Sequence, residues 1–326
     1  MSKIVVWKDV LYVMSRRLRF IPEGGSLVEV TCRSVQGRFL LKPTAELRPL
    51  VIGVLARAQK LYPVEIHAFV FLSNHYHLLL SVEDALQLAR FMNYLNSNLA
   101  REAGRLYRWR EKFWGRRYQA IVVSEEEGAQ VIRLRYLLSQ GCKEGLVARP
   151  RDWPGAQCVE ALVEGVSLKG LWLDRTQEYA ARVRGESFPR LRYATVETIK
   201  LGRLPCWRHL SKREYAIRVG EVILEIEAET TARHAREGTR PLGVKAILAQ
   251  DPHDRPEKLK KARAPAFHAV TKSARRELVE AYRWFVGAYR EAAERLGQGI
   301  EGARFPEGSF PPRLPFVGWS AELAPG

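Results

Sequence analysis

A chain of 326 residues with 46% hydrophobic and 27% charged residues is long enough to bury a core and ordinary enough to be globular. Its charge is not ordinary: 53 Lys and Arg stand against 36 Asp and Glu, a formal net charge of +17 that favours a polyanionic partner, nucleic acid or an acidic membrane surface. Scattered cysteines without a Cys-x-x-Cys pair argue against structural zinc and a disulfide framework, and neither a membrane span nor a signal peptide is legible. A cytoplasmic protein with no membrane partner is expected.

After a basic lead-in (Arg16, Arg17, Arg19), residues 27–33 alternate as a strand does. Leu47, Leu50, Val51, Val54, Leu55 and Ala58 follow at helical spacing within 43–59. Apolar runs at 68–72 and 78–80 flank Ser73 and Asn74 and read as a hairpin. Across a two-residue turn Leu72 faces His75, Val70 faces His77, and His67 falls opposite Leu80 on the other face. A second helix is expected over 82–104, stopping at Gly104.

Residues 105–118 interleave cations (Arg105, Arg108, Arg110, Lys112, Arg116, Arg117) with aromatics (Tyr107, Trp109, Phe113, Trp114, Tyr118). Two readings stand side by side: a surface for phosphates and unstacked bases, or a core of rings with Arg stems packed over them. A strand follows at 118–123. Ser124-Glu125-Glu126-Glu127 has the capping-box form, so a helix should start at Ser124. Running through Val131, Leu134, Leu137 and Leu138 to Gly141, it sets Tyr136 and Gln140 one turn apart on one side.

The stretch 149–155 reads as the exit from a first domain, 1–160, into a mainly helical, basic accessory domain, 161–326. There, Ser211 to Glu214 opens a helix ending before Gly238, and Leu278, Tyr282, Phe285, Tyr289 and Leu296 mark another that stops at Gly297. Between them lies a Pro- and Lys-rich loop with the basic run 258–263, expected to add DNA contact. A Pro- and Gly-rich tail begins at Phe305.

Alternate side chains on a strand share a face, so His75 and His77 point the same way and form a ready pair of metal ligands. The other reading of an isolated His-x-His is one structural and one exposed histidine. With His67 on the far face, the third post goes to the Gln140 amide oxygen. Such a set suits a divalent cation, Mg2+ or Mn2+, that polarises a phosphate while Tyr136 attacks phosphorus. The product is a phosphotyrosine and a free 3′-hydroxyl. A phenol titrates near ~10, so nearby cations must favour its anion. His209, His234, His253 and His268 lack ligand spacing and read as structural or exposed.

Asn74-His75-Tyr76-His77-Leu78-Leu79 resembles the His-hydrophobic-His (HUH) motif of the REP-associated tyrosine transposases and their insertion-sequence relatives. Phe113 to Tyr118 is similar to the segment before their last strand. Arg135-Tyr136-Leu137-Leu138-Ser139-Gln140 and the following Gly145-Leu146-Val147 are similar to their nucleophile helix and its exit, and Asp152-Trp153-Pro154 matches a tripeptide after it. Gln140-Gly141-Cys142 stands where many members carry Asn-Pro-Val, but a Gln coordinates in the insertion-sequence relatives.

The resemblance spans about residues 10–160. It implies an α+β fold, a ferredoxin-like antiparallel sheet with helices on one face, with Tyr136 as nucleophile and His75, His77 and Gln140 as metal ligands. It also implies a single-strand DNA endonuclease and strand transferase that cuts beside a hairpin through a 5′-phosphotyrosine. DNA contacts are expected from Arg108, Arg110, Arg116, Arg117, Arg133 and Lys143, in a monomer or homodimer. The competing expectation is a domesticated, non-catalytic protein that binds a repeat hairpin; retention of His75, His77, Tyr136 and Gln140 together counts against it.

Overall fold

The structure, a computed structural model, describes residues 17–186, 189–257, 265–300 and 302–312. Arg16, the basic run 258–263 and the tail from residue 313 lie outside them. Alternating β-branched residues give β1 (Ser26–Arg33), and the helix-spaced apolar residues give α1 (Leu47–Leu61). β2 (Glu65–Phe71) and β3 (His75–Val82) form the hairpin around Ser73 and Asn74. In α2 (Ala85–Leu106) the Asp84 carboxylate caps the first turn, accepting from Gln87 N at 2.6 Å.

That helix runs past the expected stop at Gly104, which does not adopt the left-handed conformation of a helix-ending glycine. Gly104 instead allows a close approach: its carbonyl accepts from Trp109 N at 2.7 Å, and a Cβ there would sit 3.0 Å from the Trp109 carbonyl oxygen. β4 (Gln119–Val123) follows, then α3 (Glu127–Leu138) and the short α4 (Gln140–Lys143).

α3 starts at Glu127 and not at Ser124, because the Ser124 hydroxyl donates to Glu126 Oε2 at 2.6 Å instead of accepting from a helix amide. The Glu126 carboxylate in turn accepts from Val270 N and Thr271 N at 2.9 and 3.0 Å. A break in the helix at Ser139 also puts Tyr136 and Gln140 on successive helical segments rather than on one helix.

The second half supplies α5 (Val159–Glu164), β5 (Leu168–Leu173), α6 (Arg175–Val183), β6 (Ala194–Ile199), α7 (Lys212–Glu237), α8 (Val244–Ala249), β7 (Phe267–His268) and α9 (Lys272–Gly297). It is mainly helical. Here the capping box is real: Ser211 N donates to Glu214 Oε2 at 2.8 Å and Glu214 N to Ser211 Oγ at 3.3 Å. Gly238, at φ 62°, ends α7.

The strands order β2-β3-β1-β4-β7 in one sheet, antiparallel except for the β4/β7 pair. Strand, helix, strand, strand, helix, strand in that order is the ferredoxin-like arrangement, and the class is α+β. One face buries Val28, Val30, Phe69, Phe71, Tyr76, Leu78 and Leu80 with Phe91, Met92 and Leu95 of α2, against which α1 packs. Each such side chain contributes about 1.5–3 kcal/mol. The opposite face takes α3, through Leu134 and Leu137, and it carries the candidate site. The antiparallel β5/β6 pair lies on α1, where Gly53 and Gly170 meet backbone to backbone. Among the described residues no helix is long and apolar enough to cross a membrane.

Candidate active site

The hairpin register fixes where both imidazoles point. Val70 pairs with His77 and Phe71 with Tyr76, so His75 and His77 face α3 while Tyr76 faces α2. Their rings lie 5.2 Å apart. His75 Nδ1 donates to Asn74 Oδ1 at 2.6 Å, and His77 Nδ1 donates to Glu29 Oε1 at 2.8 Å. With both Nδ1 atoms engaged, both Nε2 atoms are left as lone-pair donors. Burial above all, with the neighbouring His77 and the positive charge of Arg33, holds His75 well below the usual imidazole value, so it stays neutral.

Glu29 is the residue that sequence reasoning missed. It lies on β1 diagonal to His77, since Thr31 pairs with His77 and Glu29 with Leu79, and it is 1% exposed. Its second oxygen pairs with Arg133 of α3. Burial pulls its carboxyl up, but the His77 bond and the Arg133 charge outweigh that and hold it below the ordinary range. The available signal was a carboxylate in the middle of the apolar strand Leu27-Val28-Glu29-Val30.

Tyr136 is half-buried, its ring 5.7 Å from that of His77. Arg133 Cζ lies 4.2 Å and Lys143 Nζ 4.1 Å from the ring centroid. Gln140 is buried; its Nε2 donates to the Tyr136 carbonyl at 2.8 Å, which leaves Oε1 free, and the side chain comes within hydrogen-bonding reach of His75. Tyr76 is fully buried on the other face and donates to Asn96 Oδ1 at 2.6 Å, and burial raises its phenol well above the ordinary value.

His67 is not where strand alternation put it. A bulge between Ile66 and Ala68 gives the place opposite Leu80 to Ile66 and changes the parity of the strand. His67 Nε2 therefore meets Ser81 Oγ at 2.7 Å and Nδ1 the Gly202 carbonyl at 3.2 Å, at the far end of β3 from His75 and His77. Among the other histidines, His209 is exposed, His234 Nδ1 meets Thr239 Oγ1 at 2.7 Å, His253 Nε2 donates to the Tyr107 carbonyl at 2.8 Å, and His268 lies in β7.

In 105–118 the rings and cations separate. Phe113 and Tyr118 are buried and Trp114 Nε1 donates to the Asn96 carbonyl at 2.9 Å, whereas Arg108, Arg110, Arg116 and Arg117 are exposed. Arg101, Arg105, Arg108 and Arg110 line a groove of about 730 Å³ beside Trp109. Lys143 is exposed at the site, but Arg133 is turned inward to Glu29.

Among the described residues no three His, Cys, Asp or Glu side chains gather as a metal cluster. The donors here are two imidazole nitrogens and an amide oxygen, each with its other polar atom already bonded, a set that fits a divalent cation with positions left open.

Residues 42–140 match the family model described as "Transposase IS200 like". That span contains His75, His77, Tyr136 and Gln140; Glu29 precedes it. A solved REP-associated tyrosine transposase bound to a REP hairpin is similar at 17% identity and a TM-score of 0.39, over 46% of this chain and 86% of that one. A putative transposase from Deinococcus radiodurans is similar at 17% identity and a TM-score of 0.26, over 34% of this chain and 88% of that one. No protein of curated function matches.

Proposed function

We propose, from the match of residues 42–140 to the family model described as "Transposase IS200 like", that the chain nicks and rejoins single-stranded DNA beside a hairpin, with Tyr136 as nucleophile. The observation that carries the reading is the half-buried Tyr136 ring standing 5.7 Å from His77, between two cations and on the imidazole face of the sheet. His75 Nε2, His77 Nε2 and Gln140 Oε1 would hold Mg2+ or Mn2+, which when bound supplies charge neutralisation at the phosphate.

The Tyr136 oxygen attacks phosphorus and gives up its proton; the new O–P bond replaces the bond to the 3′-oxygen, which leaves and is protonated. Arg133 and Lys143 against the ring attract the negative charge carried by the attacking phenol. The 5′-phosphotyrosine conserves the bond energy, so the 3′-hydroxyl can reverse the step without ATP. Glu29 keeps the His77 proton on Nδ1. The exposed Arg108, Arg110, Arg116 and Arg117 are the phosphate contacts that we assign to the DNA path, and the net charge of +17 supports a nucleic-acid partner. In this reading the chemistry belongs to residues 1–160, and 161–326 is accessory.

The test is a nicking assay on labelled single-stranded hairpin DNA with Mg2+ or Mn2+, read for a covalent protein–DNA band. The expected result is a band that disappears on chelation and in Tyr136→Phe. Hairpin binding with no band under either metal would leave a binding protein instead.

A further inference from the structure

The second half of the chain grips the helix that carries Tyr136 from one end to the other. At its start Glu126 accepts from Val270 N and Thr271 N, Trp207 Nε1 donates to Glu127 Oε1 at 2.7 Å, and Cys206 N to Gln130 Oε1 at 3.1 Å. Farther along, Arg135 pairs with Glu225 at 3.5 Å and with Glu229, both on α7. Beyond the helix, Arg233 of α7 donates from both terminal nitrogens, to the Cys142 carbonyl at 2.7 Å and the Lys143 carbonyl at 3.2 Å. Leu242 N and Gly243 N then donate to the carbonyls of Gly145 and Leu146 at 2.8 and 2.9 Å.

The Arg233 contacts matter most for the site. The last carbonyls of a helix have no partner within it. α4 is only four residues long and is broken from α3 at Ser139; Gly145 N on the Cys142 carbonyl and Leu146 N on the Gly141 carbonyl, both at 2.9 Å, close its end, and the Arg233 bonds add to these. A planar guanidinium that bonds two successive carbonyls fixes the rotation of that turn as well as its position. Rotation decides the site, because successive residues on a helix point about 100° apart. Gln140 faces His75 from the start of the turn, and Lys143 reaches the Tyr136 ring from its end.

We propose that Arg233 is a positioning residue of the candidate site: by capping Cys142 and Lys143 it holds the Gln140–Lys143 turn in the one rotation that presents both side chains. The second half thereby shapes the reacting centre without touching it. The proposal rests on the reading of Tyr136, His75, His77 and Gln140 as the reacting set.

The test uses the full chain with Arg233→Met, which keeps the stem and removes the donors, and Arg233→Lys, which keeps the charge but puts its donors on a single nitrogen. Mn2+ affinity is measured on the DNA-free protein by titration calorimetry, and kcat and KM on a single-stranded hairpin. The expected result for the Met variant is an about tenfold weaker Mn2+ affinity and an about tenfold lower kcat, with KM unchanged and melting within a few degrees of wild type. The Lys variant should fall between. A folded Met variant with wild-type Mn2+ affinity and kcat overturns the proposal. If the Met variant does not fold, a folded Lys variant with wild-type values for both also overturns it, reducing Arg233 to a fold residue. Failure of the underlying reading shows separately, as a covalent adduct that persists in Tyr136→Phe.

Discussion

Removing the Tyr136 hydroxyl separates chemistry from binding, because the ring still fills its place between Arg133 and Lys143. Tyr136→Phe is expected to abolish the covalent adduct while hairpin affinity, by gel shift, stays within about twofold, since less than ~0.5 kcal/mol of contact is lost. Glu29→Ala should do the reverse of a silent change. It leaves the largely buried Arg133 guanidinium and the His77 Nδ1–H without their acceptor, at a cost of about 3 kcal/mol in urea unfolding and about tenfold or more in cleavage rate. An unchanged urea midpoint and rate would remove Glu29 from the site. The His pair was legible because strand alternation is a period of two that any reader can count. Glu29 was not, because its role depends on β1 lying beside β3, and the pairing of strands far apart in the chain leaves no local period in the sequence.

Among the elements, α1 and the β5/β6 strand pair meet where Gly53 and Gly170 leave no room for a Cβ. Ala raises helix propensity over Gly by about 1 kcal/mol, yet Gly53→Ala should be net destabilising by about 1–3 kcal/mol, because backbone and not a flexible side chain must give way. A higher urea midpoint for that variant would mean the strand pair can slide. At the start of α3, bonds from the Ser124 and Thr271 hydroxyls first, and then the Val270 and Thr271 amides, lower the Glu126 carboxyl from its ordinary 4.5 to about 2. A depressed carboxyl stabilises above its unfolded value, so the tie to 270–271 should be complete above pH 4.5 and lost as pH falls towards about 2. Amide exchange at Val270 and Thr271 over that window should show it, with Glu126→Gln flat. The same Glu126 explains why the first capping box misled: Ser124 and Glu127 have the right spacing, but a distant segment competes for the groups, whereas Ser211 and Glu214 have no such rival.

For the whole molecule, the second half was expected to add DNA contact, and its basic run 258–263 lies outside the described residues. What is described is structural: β7 extends the sheet at β4, and α7 braces α3 and α4. A fragment of residues 1–160 is therefore expected to lack a cooperative melting transition by circular dichroism; a cooperative one would return the second half to an appendage. The Pro and Gly of 149–155 read as an exit from a first domain, but the return to the sheet was not legible, since a strand as short as Phe267–His268 carries no pattern. That return sets an order of assembly during synthesis. β4 and β7 are separated by about 140 residues, roughly 7 to 30 seconds at cellular elongation rates, and for that interval the β4 edge is open to other chains. Ribosome-stalled chains ending near residue 200 should accordingly be cut readily by protease within 119–123, and chains stalled well past residue 300 should resist.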